Sequence, residues 1–154
     1  MSEQNTSLNL VQLGNVANTC TCFNLRKATR VVTQIFDEQL KPSGLLITQF
    51  TILVAIAQAG SGTINDLADR LVMDRTTLTR NLKPLAREGL ITIQSGEDRR
   101  IRIVSLTVKG RDALVVALPL WEQAQAAVIA GLGEQKWSSL LIALSGAVSL
   151  ADKS

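Results

Sequence analysis

The stretch DRTTLTRNLKPLAREGL, Asp74–Leu90, carries two stripes of opposite character. At about 100° per residue, Leu78, Leu82 and Leu85 fall within roughly 60° of one another. Thr76, Arg80, Lys83 and Arg87 gather on the other side, with Thr77 and Thr79 flanking them. Burying three leucines is worth about 5 kcal/mol before entropy, enough to pin such a helix to a domain. A helix that only packs is indifferent to its outer face. This one presents hydroxyls and cations, the groups that read base edges and phosphates in a major groove. A solvated cationic face would carry the same residues, so the neighbours must decide.

Upstream, TINDLADRLVM at 63–73 reads as a helix opened by Thr63 with Asp66 three residues on, a capping box. Asp74 is itself a good N-cap, so two helices meet at a tight turn, the second of them basic: a helix-turn-helix pattern. Downstream, ITIQSGEDRRIRIVSL at 91–106 switches to period two on either side of the turn residues SGED. It reads as a β-hairpin with Arg100 and Arg102 facing outward and Arg99 beside them. Asp98 can pair with Arg100 and orient its guanidinium.

Farther out, the spacing predicts a polar, loosely ordered arm over residues 1–14 and a helix from Asn18 to Leu40, stopped by KPSG. A helix apolar nearly all round follows at Thr48–Ala59, closed by Gly60 and Gly62. Thr107 caps a long helix ending at the glycines of 131 and 133, and a last helix runs from about Glu134 to Ala151. The expected fold is mainly α with a small β-hairpin wing. Residues 45–107 form a winged helix-turn-helix lobe, and 15–44 with 108–154 form a helical dimerisation region. Leu114, Leu118, Trp121 and Val128, then Trp137, Leu141, Leu144 and Val148, offer more apolar surface than the small lobe can cover, which favours a homodimer.

Composition narrows the function. With 154 residues, 46% of them apolar and 19% charged, the chain can bury a core. The net charge is only +3. Yet ten of the sixteen Lys and Arg lie between Arg70 and Arg111, against four acids there (Asp74, Glu88, Glu97, Asp98), which suits a polyanion. Histidine is absent, which removes the usual general base and the commonest metal ligand, so the expectation is no enzyme, no metal and no cofactor. Aromatic residues at 3% leave few stacking platforms for single strands. The N-terminus has no basic leader with a long apolar run, and no ~18-residue run is uninterruptedly apolar, so the expectation is a cytoplasmic protein without a membrane segment.

Cys20-Thr21-Cys22 opens the first long helix, near Phe23, Arg26 and Arg30. A helix start and nearby cations favour a reactive thiolate. Packing residues at a subunit interface are the other reading. If the segment is helical, the two thiols point about 200° apart, so a disulfide or soft-metal site would need a partner subunit or an unwound end.

The chain resembles the MarR family of winged helix-turn-helix regulators. DRRIRIVSLTVKG at 98–110 fits the family's D-x-R, L-T and nearby Gly at Asp98, Arg100, Leu106, Thr107 and Gly110, and DRTTLTRNLKPLAREGLI at 74–91 fits its recognition helix. The resemblance implies a homodimer on a palindromic operator in double-stranded DNA. It places Thr76, Thr77, Thr79, Arg80 and Lys83 at the major groove or its phosphates and Arg100 in the minor groove. Arg75, Arg87, Asp98, Arg99 and Arg102 complete the expected DNA-binding set. It further implies a repressor released by a small-molecule effector or by cysteine oxidation. Cys20, Cys22, Phe23, Arg26 and Arg30 are the candidates for that signal, the effector site lying between the first helix and the DNA-binding lobe. The contrasting reading is a winged-helix protein-interaction module whose basic face meets an acidic protein.

Overall fold

In the computed structural model, which describes residues 8–151, the elements run α1 (Leu10–Thr19), α2 (Thr21–Leu40), a 3-10 turn (Lys41–Ser43), α3 (Ile47–Ala59), β1 (Ser61–Thr63), α4 (Ile64–Leu71), α5 (Arg75–Arg87), β2 (Ile91–Ser95), β3 (Arg102–Leu106), α6 (Val108–Leu132) and α7 (Glu134–Val148). The chain divides into two compact units between Ile35 and Phe36.

In the first unit the expected loose arm is corrected. Residues 1–7 lie outside the described part, but 10–19 form α1. Asn9 caps it, its side-chain oxygen accepting from the amides of Val11 and Gln12 at 3.0 and 3.2 Å. The single helix expected from Asn18 is broken at Cys20, whose backbone is extended (φ −67°, ψ 114°). Asn24 bridges the break, its amide nitrogen donating to the carbonyls of Cys20 at 2.9 Å and Ala17 at 3.3 Å.

The second unit is built around α3, whose Phe50, Ile52, Leu53, Ala55 and Ile56 are buried. A helix with apolar residues on nearly every side needs neighbours all round, and α3 meets α4, α6, β1 and β3. Its start is fixed from a distance: the amide of Ile47 donates to Asp37 Oδ1 at 2.7 Å, and that of Leu46 to Gln49 Oε1 at 3.0 Å. Thr63 and Asp66 make the expected reciprocal cap on α4. Leu67 and Ala68 of α4 and Leu78, Leu82 and Leu85 of α5 join the core made by Leu40, Leu53, Ile56 and Val104. Leu71 is half-buried at its edge.

The wing is one strand richer than the hairpin read from the sequence. β2 pairs antiparallel with β3 from Ile91↔Leu106 to Ser95↔Arg102, and β1 pairs on the other edge of β3 through Gly62↔Val104, giving the order β1-β3-β2. Gly62 therefore belongs to a strand and does not close α3; Gly60, at φ +71°, does that.

Thr107 caps α6, accepting from the amide of Gly110 at 3.0 Å and donating to the carbonyl of Gly89 at 2.7 Å. By length and composition α6 could cross a membrane, with an 18-residue stretch of mean hydropathy 1.5. On one side it packs against the core: Ala117 and Ala124 are buried and Trp121 stacks on Phe50, ring centroids 6.2 Å apart. Large apolar side chains stay exposed on α6 and α7, among them Val115 (72%) and Ile142 (72%), and α7 has no buried residue.

Candidate nucleic-acid interface

Asp74 organises the start of α5. Its Oδ1 accepts from the Thr77 amide at 2.8 Å and its Oδ2 from the Thr77 hydroxyl at 2.6 Å. These bonds, led by the hydroxyl, hold the Asp74 carboxyl below the usual aspartate range, because each favours the charged form. A carboxylate at a helix N-terminus also meets the positive end of the helix dipole. The hydroxyl proton of Thr77 is thus committed to the cap, and that of Thr79 to the carbonyl of Arg75 at 2.8 Å. Thr79 keeps its oxygen lone pairs and methyl group for an outside contact.

With the three leucines turned inward, Arg75, Thr76, Thr79, Arg80 and Lys83 line one shallow groove along the outer face of α5. Thr76, Arg80 and Lys83 are exposed, and Arg87 is exposed one turn farther along. Pro84 lies inside α5 without ending it; the helix runs on to Arg87. Pro84 removes one backbone donor near the end, where the last turn is closed by the Glu88 amide donating to the Pro84 carbonyl at 2.9 Å.

The wing tip is shaped by Asp98. Its Oδ1 accepts from the Arg100 amide at 2.9 Å and from Arg100 Nε at 3.3 Å. An exposed pair of this kind adds little stability, but it restrains the rotation of a side chain that is 91% exposed. Arg99 and Arg102 are exposed beside it, and Arg102 donates to Ser95 Oγ at 3.4 Å across the hairpin. Arg100 sits in the turn before β3, not within the strand.

The groove on α5 and the wing are contiguous. A second cleft, lined by Arg75, Arg100 and Arg102 with Asn65 and Asp66 of α4, opens between the helix-turn-helix and the hairpin. Arg75 lines both concavities. Recognition-helix and wing cations therefore share one surface. The convergence at Arg75, and the part played by Asn65, had no signal in the linear pattern, since both arise from the pairing of β1 with β3.

In the first unit, Cys20 and Cys22 are free thiols, half-buried and exposed respectively. Cys20 Sγ accepts from the Phe23 amide at 3.5 Å, taking the capping place at the start of α2. The unwound end required for the two thiols to approach one another exists at Cys20. Phe23, Arg26 and Arg30 are exposed on α2, with Lys27 Nζ 5.2 Å from the Phe23 ring centroid. Among the described residues, no three His, Cys, Asp or Glu side chains converge to hold a metal ion.

Comparison with known proteins agrees with this arrangement. The MarR family profile matches residues 43–101. The transcriptional regulator MosR of M. tuberculosis, in a structure with DNA, superposes with a TM-score of 0.80 at 40% identity, over 87% of this chain and 97% of that one. The HTH-type transcriptional regulator YwoH of Bacillus subtilis is 30% identical over 83 residues, 54% of this chain and 61% of its own length. The organic hydroperoxide resistance transcriptional regulator of the same organism is 31% identical over 90 residues, 58% of this chain and 61% of its own. The chain thus spans about three fifths of the curated relatives it matches.

Proposed function

Because the chain belongs to the MarR family of transcriptional regulators, we propose that it binds a palindromic operator in double-stranded DNA as a homodimer and represses transcription in the cytoplasm until a thiol-directed or small-molecule signal releases it. The observation that carries this reading is Arg75, which joins the groove of α5 to the wing cleft in one basic surface. Thr76, Thr79, Arg80 and Lys83 meet the major groove, Arg87 and Arg99 meet phosphates, and Arg100, steered by Asp98, enters the flanking minor groove. Thr77 serves by holding the start of α5.

The homodimer reading is supported by the apolar surface left open on α1, α6 and α7, where Leu10 and Val11 are each 75% exposed and Ile142 is 72% exposed. Single exposed apolar residues are ordinary, but whole helix faces ask for a partner, and a second copy supplies matching ones. Cys20 and Cys22 are the proposed entry point of an oxidant, and Arg26 and Arg30 would attract an anionic effector.

Measuring Kd for random and operator duplexes across salt concentration, together with the mass in solution, tests this function. A dimer whose log Kd against log salt has a slope of about 0.9 per phosphate neutralised supports it. A monomer, or duplex affinity insensitive to salt, would leave the basic face to an acidic protein partner.

A further inference from the structure

We infer that the cleft between the wing and the start of α4 is a seat for a single DNA phosphodiester, held at once by the helix-turn-helix and the hairpin; this rests on the DNA-binding reading above. The cleft has a volume of about 210 Å³. At roughly 30 Å³ per water, that is room for a tetrahedral anion with some of its hydration. Arg75 approaches it from α5, Asn65 from α4, and Arg100 and Arg102 from the wing.

The charges there are out of balance. Of the nearby carboxylates, Asp66 accepts from the Thr63 amide at 3.3 Å and Asp98 is engaged with Arg100 at 3.3 Å. Among the described residues, neither Arg75 nor Arg102 has a carboxylate within 4.0 Å. Two guanidiniums that line one concavity from different elements, one of Arg102's nitrogens bonded to Ser95 Oγ and the other donors of the pair free, repel each other unless an anion lies between them. Planar forks of N–H donors match phosphate oxygens two at a time, and Asn65 adds a neutral amide donor. Since all these side chains are exposed, the cluster does nothing for the core. Its use is to fix the wing against the recognition helix when a strand is present, so that one phosphate sets the register of both.

Operator duplexes in which single phosphates are replaced by neutral methylphosphonates, bound by wild type, Arg75→Gln, Arg102→Gln and the double variant, test the seat. The expected result is one phosphate per half-site whose neutralisation weakens wild type about tenfold. Both single variants should be blind to that same phosphate while staying sensitive to the others. The double variant should be little weaker than either single one, since the two arginines share a partner. If the variants are blind to different phosphates, or their effects multiply, the shared seat is overturned while DNA binding stands. If wild type shows no salt-dependent duplex affinity, the functional reading itself falls, and the seat with it. Inorganic phosphate at matched ionic strength provides the last arm. Competition that disappears in Arg75→Gln would reassign the cleft to the free anion, and unchanged operator affinity supports the phosphodiester.

Discussion

The α-carbon of Gly110 lies directly against the carbonyl of Leu90, so that a Cβ added at Gly110 would run into that oxygen. The same carbonyl accepts from the Thr107 amide at 3.1 Å, and the Thr107 hydroxyl donates to Gly89 at 2.7 Å. The L-T-x-x-G pattern is therefore a joint that seats the start of α6 on the turn leaving the recognition helix. Gly110→Ala must push α6 away from backbone that cannot yield, and it should cost about 1–3 kcal/mol. Denaturant unfolding measures this. A variant as stable as wild type would mean that the joint is slack.

Acid should loosen the recognition helix before the core. Asp74 has its carboxyl held below the ordinary aspartate range by Thr77, so the folded state binds its proton less readily than the unfolded chain does. The stability it contributes is complete above the unfolded value, near pH 4, and drains away as pH falls through the lower, folded one. Asp74→Asn should remove that part of the acid dependence. Amide exchange at Thr77 and Leu78, followed from about pH 5 to pH 2, reads it directly; identical profiles in both proteins would count against the cap.

The division of labour between groove and wing predicts different specificity losses. Arg80→Ala or Thr79→Ala should relax base preference inside each half-site by about 1–3 kcal/mol per contact. Arg100→Ala should weaken binding and blunt the preference for A·T pairs beside the half-site. Binding to a library of scrambled operators separates these outcomes. If all three variants lose affinity evenly, without change in preference, the assignments to grooves are wrong.

What the sequence made legible was local. Thr63, Asp74 and Thr107 each announce a helix start through hydrogen bonds spanning three residues, and all three caps form as read. The alternation around SGED foretold β2 and β3. β1 escaped because three residues, Ser61–Thr63, carry no period, and their pairing with Ile103–Ser105 lies some forty residues away. α1 escaped because its leucines and valines face outward around a central glycine, so no buried stripe marked it, although Asn9 stood in the capping place. The cation types of the interface could be read. Their meeting at Arg75 could not, because it depends on the strand that was missed.

Val72 takes a left-handed backbone (φ 51°, ψ 44°) at the end of α4, where its amide donates to the carbonyls of Ala68 and Asp69. That is the role glycine usually fills, and a β-branched residue fills it under strain. Its side chain is 61% exposed, so little packing compensates. Val72→Gly should raise stability by about 0.5–1 kcal/mol, net of the greater entropy of glycine in the unfolded chain. A lower melting temperature would show instead that Val72 is held in place by contacts worth more than the strain.

Because the helix is broken at Cys20, a disulfide between Cys20 and Cys22 is the expected response to an oxidant. Cys20 has an extended backbone and Cys22 lies in the first helical turn, so the opposed directions of a continuous helix do not apply. A peroxide would oxidise one thiol to a sulfenic acid, losing water or an alcohol. Condensation with the second thiol would then form a disulfide and release water. Closing that bond would pull Cys20 Sγ from the Phe23 amide and unwind the start of α2. Operator affinity should fall about tenfold on peroxide treatment and return with a dithiol reductant. Cys20→Ser, whose hydroxyl can still cap α2, and Cys22→Ser should each bind the operator normally and ignore the oxidant. Arsenite, which bridges paired thiols, should mimic peroxide only in wild type. Unaltered sensitivity in either serine variant would exclude the pair, and the two cysteines would then only pack.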